Sequence, residues 1–486
     1  MACTTILVGK KASYDGSTLI ARNDDGGYDT KKLVVVKPKD QPKKYKSKIS
    51  HVEITLPENP MSYTACPNVV PTQGTWAACG INAANVAMTA TETITTNARV
   101  LGADPLVVLK PKDGKNKEVP GGIGEEDLVV LVLPYIKSAR EGVIRLGKLL
   151  KEYGTYECNG IAFSDKDEIW WLETIGGHNF IARKVKDDEY VVMPNQFGLD
   201  RFDFEDAYGE QKENMCSEGL KDLIKRGHLD LTMENGKFNP RDAFGSHDDS
   251  DHVYNTPRAW YMGRYFNPTT YKWDGENADF TPESDNIPWS FVPEKKITVE
   301  DVKYILSSYY QGTQYNPYSS TATEKGKYRP IGISRTDVMA ILQIRDYVPS
   351  EIAAVEWICF ASNAFNSALP VYTNTDSFPA YLSDVKASVS TENLYWSERL
   401  LGALADPHYG SAIQLVERYQ KAVAAQGHRI IQEYDEKMIE SGNFELIKEA
   451  NKELASMAKN ETEKALNNLL KNACAHMKNG YSRADN

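Results

Sequence analysis

The chain has 486 residues, 41% hydrophobic and 25% charged, a composition that excludes a disordered or fibrous protein and allows a large buried core. Its 67 Asp and Glu outnumber 56 Lys and Arg for a formal charge of -11, which repels phosphate backbones and sets nucleic acid aside as the main partner. The opening residues Met-Ala-Cys-Thr-Thr-Ile-Leu-Val-Gly lack the order of a secretory signal, and no run of about 18 apolar residues follows. The expectation is therefore a cytoplasmic protein with no membrane partner. Seven Cys at positions 3, 66, 79, 158, 216, 359 and 474 are odd in number and widely spread, without a C-x-x-C pair, so neither a disulfide framework nor a zinc site is expected.

In chain order, apolar β-branched runs at 3–9 and 17–23 flank a turn signal at Tyr14-Asp15-Gly16 and predict a β-hairpin at the very start. Short strands are predicted at 33–36, 50–55, 75–79 and 86–91, then a helical stretch from Glu125 to Tyr153 with apolar residues three and four apart. A second strand group follows at 160–164, 168–174, 179–184 and 189–193. Residues 201–326 are rich in Asp, Asn, Gly, Pro and Tyr and predict loops and short helices, and strands return at 353–361 and 367–372. From about Thr391 the composition turns to Ala, Leu, Glu, Lys and Gln, predicting helices over 391–404, 410–441 and 444–478. Strands grouped apart from helices favour an α+β layered architecture. The division expected is a domain over 3–385 and a helical C-terminal segment over 386–486.

Cys3 is the first residue with chemistry to offer. If Met1 and Ala2 are removed, an α-amine with an ordinary pKa of about 7.7 to 8 lies on the same residue as the thiol, so nucleophile and general base become one residue. Ala21-Arg22-Asn23-Asp24-Asp25 ends the paired strand, where a hairpin brings it beside Cys3. A cation there lowers a thiol pKa, and a carboxylate orients an amine.

The segment CTTILVGKKASYDGSTLIARNDD resembles the mature start of the dipeptidase A family of cysteine peptidases, N-terminal nucleophile hydrolases related to penicillin V acylase and bile salt hydrolase. The resemblance continues through GINAANVAMTATETI (80–94), WWLETIGGHNFIARKV (170–185), VVMPNQF (191–197), YNTPRAWYMGRYFNP (254–268) and YRPIGISRTD (328–337). It implies a four-layer α-β-β-α sandwich, removal of residues 1 and 2, and hydrolysis of dipeptides through an acyl-enzyme, with no metal and no cofactor. Carried over by position, it makes Cys3 nucleophile and base, with Arg22 and Asp25 beside it. Asn195 becomes a donor to the oxyanion and Arg258 a further active-site cation, with Arg264 a competing match. The acylases' other oxyanion Asn should fall near Thr91 and Glu92, where this chain has none. A dipeptide also needs an acidic group for its ammonium, and Asp24 and Glu92 adjoin the implied catalytic positions. An N-acyl amidase of the acylase type and an inactive secernin-like interaction protein are the alternatives, and self-association into a homo-oligomer is left open.

Three further patterns are read as structural. His247-Asp248-Asp249-Ser250-Asp251-His252 lacks the i, i+4 spacing of a zinc helix and is expected to be a solvated loop. Gly121-Gly122-Ile123-Gly124 lacks the Lys-Ser/Thr of a phosphate loop. Trp170, Trp171 and the Tyr-rich 304–328 region lack interleaved basic residues and are expected to pack.

Overall fold

A computed structural model describes residues 2–233 and 236–477; Met1 and Lys478, which figure above, lie outside the described residues. In chain order the strands are β1 (Ala2–Val8), β2 (Thr18–Asp25), β3 (Cys79–Ile81), β4 (Ala87–Thr89), β5 (Glu92–Thr93), β6 (Asn159–Ser164), β7 (Ile169–Ile175), β8 (Asn179–Val185), β9 (Tyr190–Met193), β10 (Asn214–Cys216), β11 (Ser290–Phe291), β12 (Thr336–Ile344), β13 (Ala354–Phe360) and β14 (Leu369–Tyr372). The helices that matter below are α1 (Ala139–Tyr153), α2 (Thr256–Phe266), α3 (Val299–Leu306), α4 (Leu394–Ala405), α5 (Tyr409–Ser441) and α6 (Ile447–Ala475). Two small ribbons pair Val34–Val36 with Tyr63–Ala65 and Lys44–Lys46 with Glu53–Thr55.

The architecture is α+β. One antiparallel sheet runs β11-β9-β1-β2-β12-β13-β14; the other runs β10-β8-β7-β6-β4-β3, with β5 also pairing β6. The sheets meet through β2 against β4 and β6, and through β1 against β5. Helix α1 packs on β6, β7 and β8, whereas α3 packs on β1, β2 and β12, and α5 and α6 pack on β14. Every residue of β2 and β12 is buried, as strands covered on both faces must be.

The N-terminal hairpin forms as its pattern predicts, with Thr5 opposite Arg22 and Val8 opposite Leu19. The helical stretch expected from Glu125 to Tyr153 is interrupted. A short buried helix, Leu128–Val132, ends before a turn containing Pro134, and α1 restarts behind Ser138, whose hydroxyl accepts from Glu141 N–H. The central strand β12 is the element that the sequence pattern hides. Its TDVMAILQI is buried along its whole length, so it lacks polar alternation, and Met, Ala, Leu and Gln are good helix formers.

The stretch expected as a loop at 247–252 becomes helical at Asp249, where Asp248 and Asp251 form a reciprocal cap. This short helix leads directly into α2. The long C-terminal helices bury Ala412, Val416, Tyr419, Val423, Ile430 and Leu454 in the same hydrophobic cluster as Ile6 and Ile20 of the hairpin. Trp170 and Trp171 are fully buried. Among the described residues, no helix is long and apolar enough to cross a membrane.

Candidate active site

The candidate site lies where the first hairpin begins and ends. Antiparallel register sets Cys3 opposite Asp24 and Thr5 opposite Arg22. Because side chains alternate, Cys3, Thr5, Arg22 and Asp24 share one face, and Thr4, Asn23 and Asp25 share the other. The first face looks to the second sheet, where Thr5 Oγ1 donates to Glu92 Oε2 of β5 at 2.7 Å.

Arg22 organises that face. Its Nη2 lies 2.9 Å from Cys3 Sγ and 3.2 Å from Asp24 Oδ1, and it also meets Glu125 Oε1, while Nη1 donates to Ala78 O at 2.9 Å. Ala78 has φ 55, a strained left-handed conformation for a residue with a Cβ, held where its carbonyl meets Arg22. Lys31, buried like Arg22, places Nζ 3.0 Å from Asp24 Oδ2 and donates to Trp76 O at 2.8 Å. Burial alone would raise the Asp24 pKa, but Lys31 and Arg22 outweigh it and hold the carboxyl below its ordinary value.

Cys3 itself is fully buried. Burial pushes its thiol well up, beyond what Arg22 pulls down, and Glu125, Glu92 and Asp24 add to the rise. A neighbouring cation lowers the thiol pKa, as the Arg22 position suggests, but here desolvation is the larger effect. Burial thus disfavours the thiolate at this position.

Behind the strand, a second cation binds the backbone. Arg258 of α2 reaches Cys3 O and Thr4 Oγ1, and its Nη2 donates to Asn195 Oδ1 at 2.7 Å and to Asn255 Oδ1 at 2.8 Å. Asn195 Oδ1 also accepts from Cys3 N–H at 3.2 Å, while its Nδ2 donates to Thr93 O at 2.8 Å. Two donors on the oxygen and one acceptor on the nitrogen define that amide's orientation. The Asn195 amide thus already spends one N–H on Thr93. Asn255 fixes this corner: its Oδ1 accepts from Asn195 N–H at 3.1 Å and its Nδ2 donates to Asn195 O at 3.2 Å.

The structure brings Cys3, Arg22, Asn195 and Arg258 together and separates the competing Arg264, which pairs with Asp274 at 3.0 Å on the surface. Asp25 is not beside the thiol. It lies on the opposite face, ion-paired with Arg329, and accepts from Thr336 Oγ1 at 2.6 Å. One residue of strand alternation explains the difference: Asp24 is the carboxylate on the thiol's face. Asp24, in turn, has one oxygen on Arg22 and the other on Lys31, so neither is free for a substrate. Glu92 is fully buried with Oε1 unpartnered, and burial, opposed by Arg258, Thr5 and Arg22, raises its pKa to about 8.

Four contributors escape sequence reasoning: Glu125, Lys31, Asn255 and Arg329. Arg329 and Asn255 lie inside quoted motifs, but nothing in their spacing singles them out. Glu125 carries the one usable signal, as an acid directly after the Gly-rich 121–124 segment.

Two groups of metal-ligating types converge among the described residues: Cys66, Cys79 and Glu356, and Cys3, Asp24 and Glu125, each with its atoms within 4.8 Å of one another. In the second group the Arg22 guanidinium already supplies the cation. The histidines at 247 and 252 lie instead against Asp242 at 4.0 Å and Asp285 at 3.0 Å.

Residues 2–422 match Peptidase family C69. The chain belongs to this peptidase family. Relatives of the peptidase run its full length: a Dipeptidase of Bifidobacterium longum (strain NCC 2705) is 51% identical over 532 residues, covering 100% of both chains. The Probable dipeptidase A of Streptococcus pyogenes serotype M3 (strain SSI-1) is 49% identical over 490 residues, again covering 100% of both. The Dipeptidase A of Lactobacillus helveticus is 44% identical over 482 residues, with 96% of each chain covered. The matched region contains the site residues from Cys3 to Arg329, both sheets and α4, and ends within α5.

Proposed function

We propose that this peptidase is a cysteine dipeptidase in which the Cys3 thiol is the nucleophile and the Cys3 α-amine, freed by removal of Met1 and Ala2, is the general base. The observation that carries this reading is the placement of Cys3. Its sulfur faces the Arg22 guanidinium at 2.9 Å and its nitrogen faces Asn195 at 3.2 Å, at the one peptide bond whose removal leaves an amine on the thiol's own residue. The relatives named as dipeptidases support the substrate class.

In the proposed reaction the α-amine takes the thiol proton as the sulfur bonds to the scissile carbonyl carbon. Asn195 swings or shares its Nδ2 toward the developing oxyanion. The ammonium of Cys3 then returns the proton to the leaving amine, the C–N bond breaks, and a thioester remains. Water attacks that thioester with the amine again as base, releasing the amino acid and the thiol. Arg22 holds the thiol, and Arg258 holds the backbone of Cys3 and the Asn195 amide. Asp25 acts at a distance, by fixing Arg329 beside Arg258 over the shared Tyr254 ring.

The two sheets with helices on their outer sides fit the α-β-β-α sandwich of N-terminal nucleophile hydrolases, with a domain over residues 3–385 and a helical segment that follows it from 386. Buried thiols without disulfides suit action on free dipeptides in the cytoplasm. Hydrolysis of dipeptides by the purified protein, abolished by a thiol reagent and by Cys3→Ala but untouched by a chelator, is the expected result. Activity lost to the chelator alone would overturn the reading.

A further inference from the structure

We infer that Glu125, together with Glu92, receives the free α-ammonium of the residue whose carbonyl Cys3 attacks, so that the site selects peptides cleaved after an unblocked first residue. This rests on the reading of Cys3 as the nucleophile. The argument begins with length. Sulfur approaches a carbonyl carbon to about 3–3.5 Å before attack, and backbone geometry sets the amino nitrogen of that same residue about 2.5 Å from the carbon. The ammonium must therefore lie within roughly 6 Å of Sγ.

Two carboxylates stand within 4.8 Å of Cys3 Sγ: Asp24 and Glu125. Asp24 has its oxygens on Arg22 and Lys31. Glu125, 2% exposed, has only Oε1 on Arg22, and its Oε2 is buried without a partner. Glu92 acts on the same thiol and also keeps one oxygen unpartnered. Buried carboxylate oxygens without donors are costly, and an ammonium offers three donors with a positive charge. Thus the site lacks, on this side of the thiol, what a free amino terminus brings. A blocked amine brings a neutral amide with one N–H, which cannot partner both free carboxylate oxygens, and this is how polar sites reject analogues.

Glu125 also touches Arg22, so a purely positioning role must be distinguished. The test is protection of Cys3 in the mature enzyme from iodoacetamide, by Leu-Ala and by N-acetyl-Leu-Ala, in wild type, Glu125→Gln and Glu92→Gln. The inference expects the protection constant for Leu-Ala to weaken by about tenfold or more in each variant, with N-acetyl-Leu-Ala protecting weakly throughout. Because both carboxylates raise the thiol pKa, alkylation without peptide is expected to quicken in both variants, and each protection constant is read against that variant's own unprotected rate. Equal protection by Leu-Ala in all three proteins overturns it. So does a Glu125→Gln effect confined to unprotected alkylation, which would mark Glu125 as a positioning residue for Arg22. Wild-type turnover of Leu-Ala separates the two levels. Turnover with unaltered protection removes only the role of the carboxylates, whereas absence of turnover removes the dipeptidase reading beneath it.

Discussion

Two buried clusters in this chain place thiols against carboxylates, and they differ in what surrounds the sulfur. At Cys66 and Cys79, both sulfurs face Glu356 Oε1, at 3.9 and 3.8 Å, and Thr64 Oγ1 closes the other oxygen at 2.8 Å. No cation meets this carboxylate among the described residues, and burial raises its pKa to about 7. At Cys3, burial is just as complete, but Arg22 stands between the thiol and two carboxylates, and unpartnered polar atoms remain on Arg22, Glu92 and Glu125. The comparison shows that a buried thiol beside acids is by itself a packing solution. A guanidinium, unfilled hydrogen-bonding capacity and a position at the chain's start make the difference.

The largest effect that sharpens this contrast is expected at Cys3. Cys3→Ala removes the proposed nucleophile, and turnover of a dipeptide should fall by at least about a thousandfold. Cys66→Ala and Cys79→Ala, measured in the same assay, should stay within about twofold of wild type. Comparable losses at all three sulfurs would erase the distinction between the clusters.

Next in size is Arg22→Met, which leaves Asp24 and Glu125 buried without their shared guanidinium. Breaking a buried pair costs about 3–5 kcal/mol, so thermal unfolding should move sharply downward and kcat should fall with it. An unaltered melting temperature would mean that Arg22 is not the organiser of this face.

The carboxylates also predict opposite pH signatures. Glu92, raised to about 8, must ionise to hold an ammonium, so kcat/KM for dipeptides should climb with pH toward 8. Glu92→Gln should make that climb shallower while leaving the limb of the Cys3 α-amine near an ordinary value of about 7.7 to 8, and a climb of unchanged steepness in the variant would remove Glu92 from it. Glu356 reports on stability instead. Its folded pKa of about 7 lies above the ordinary value, so its contribution is full below the unfolded pKa near 4.5 and is lost as pH rises through about 7. Glu356→Gln should reduce the fall in unfolding free energy across that window while leaving activity unchanged, and urea titrations at pH 5 and 8 would show whether it does.

The smallest effect is expected from Cys79→Ala on stability, about 1–2 kcal/mol for a small buried side chain with weak hydrogen bonding. A larger loss in urea denaturation would mean that the thiol does more than fill space.

Much of the site's outline was legible because it is local. The hairpin follows from β-branched runs around a turn, and it alone brings Arg22 to Cys3. The motifs around Asn195 and Arg258 carried the resemblance, although no spacing could show that both converge on Cys3 from distant elements. Motif spacing points to Asp25, which lies on the far face, whereas pairing register puts Asp24 opposite Cys3. Glu125 and Lys31 were hidden because a buried Arg or Asp demands a partner without saying where in the chain it comes from. The strand at 336–344 was hidden for the reverse reason, since burial on both faces erased the alternation that would have marked it.

The central claim is that one residue supplies both nucleophile and base, and the intact mass of the active protein tests it most directly. Active preparations should begin at Cys3, with Met1 and Ala2 both absent, and labelling by one equivalent of a thiol reagent should fall on that first residue as activity disappears. Full activity in protein that retains Ala2 would contradict the account.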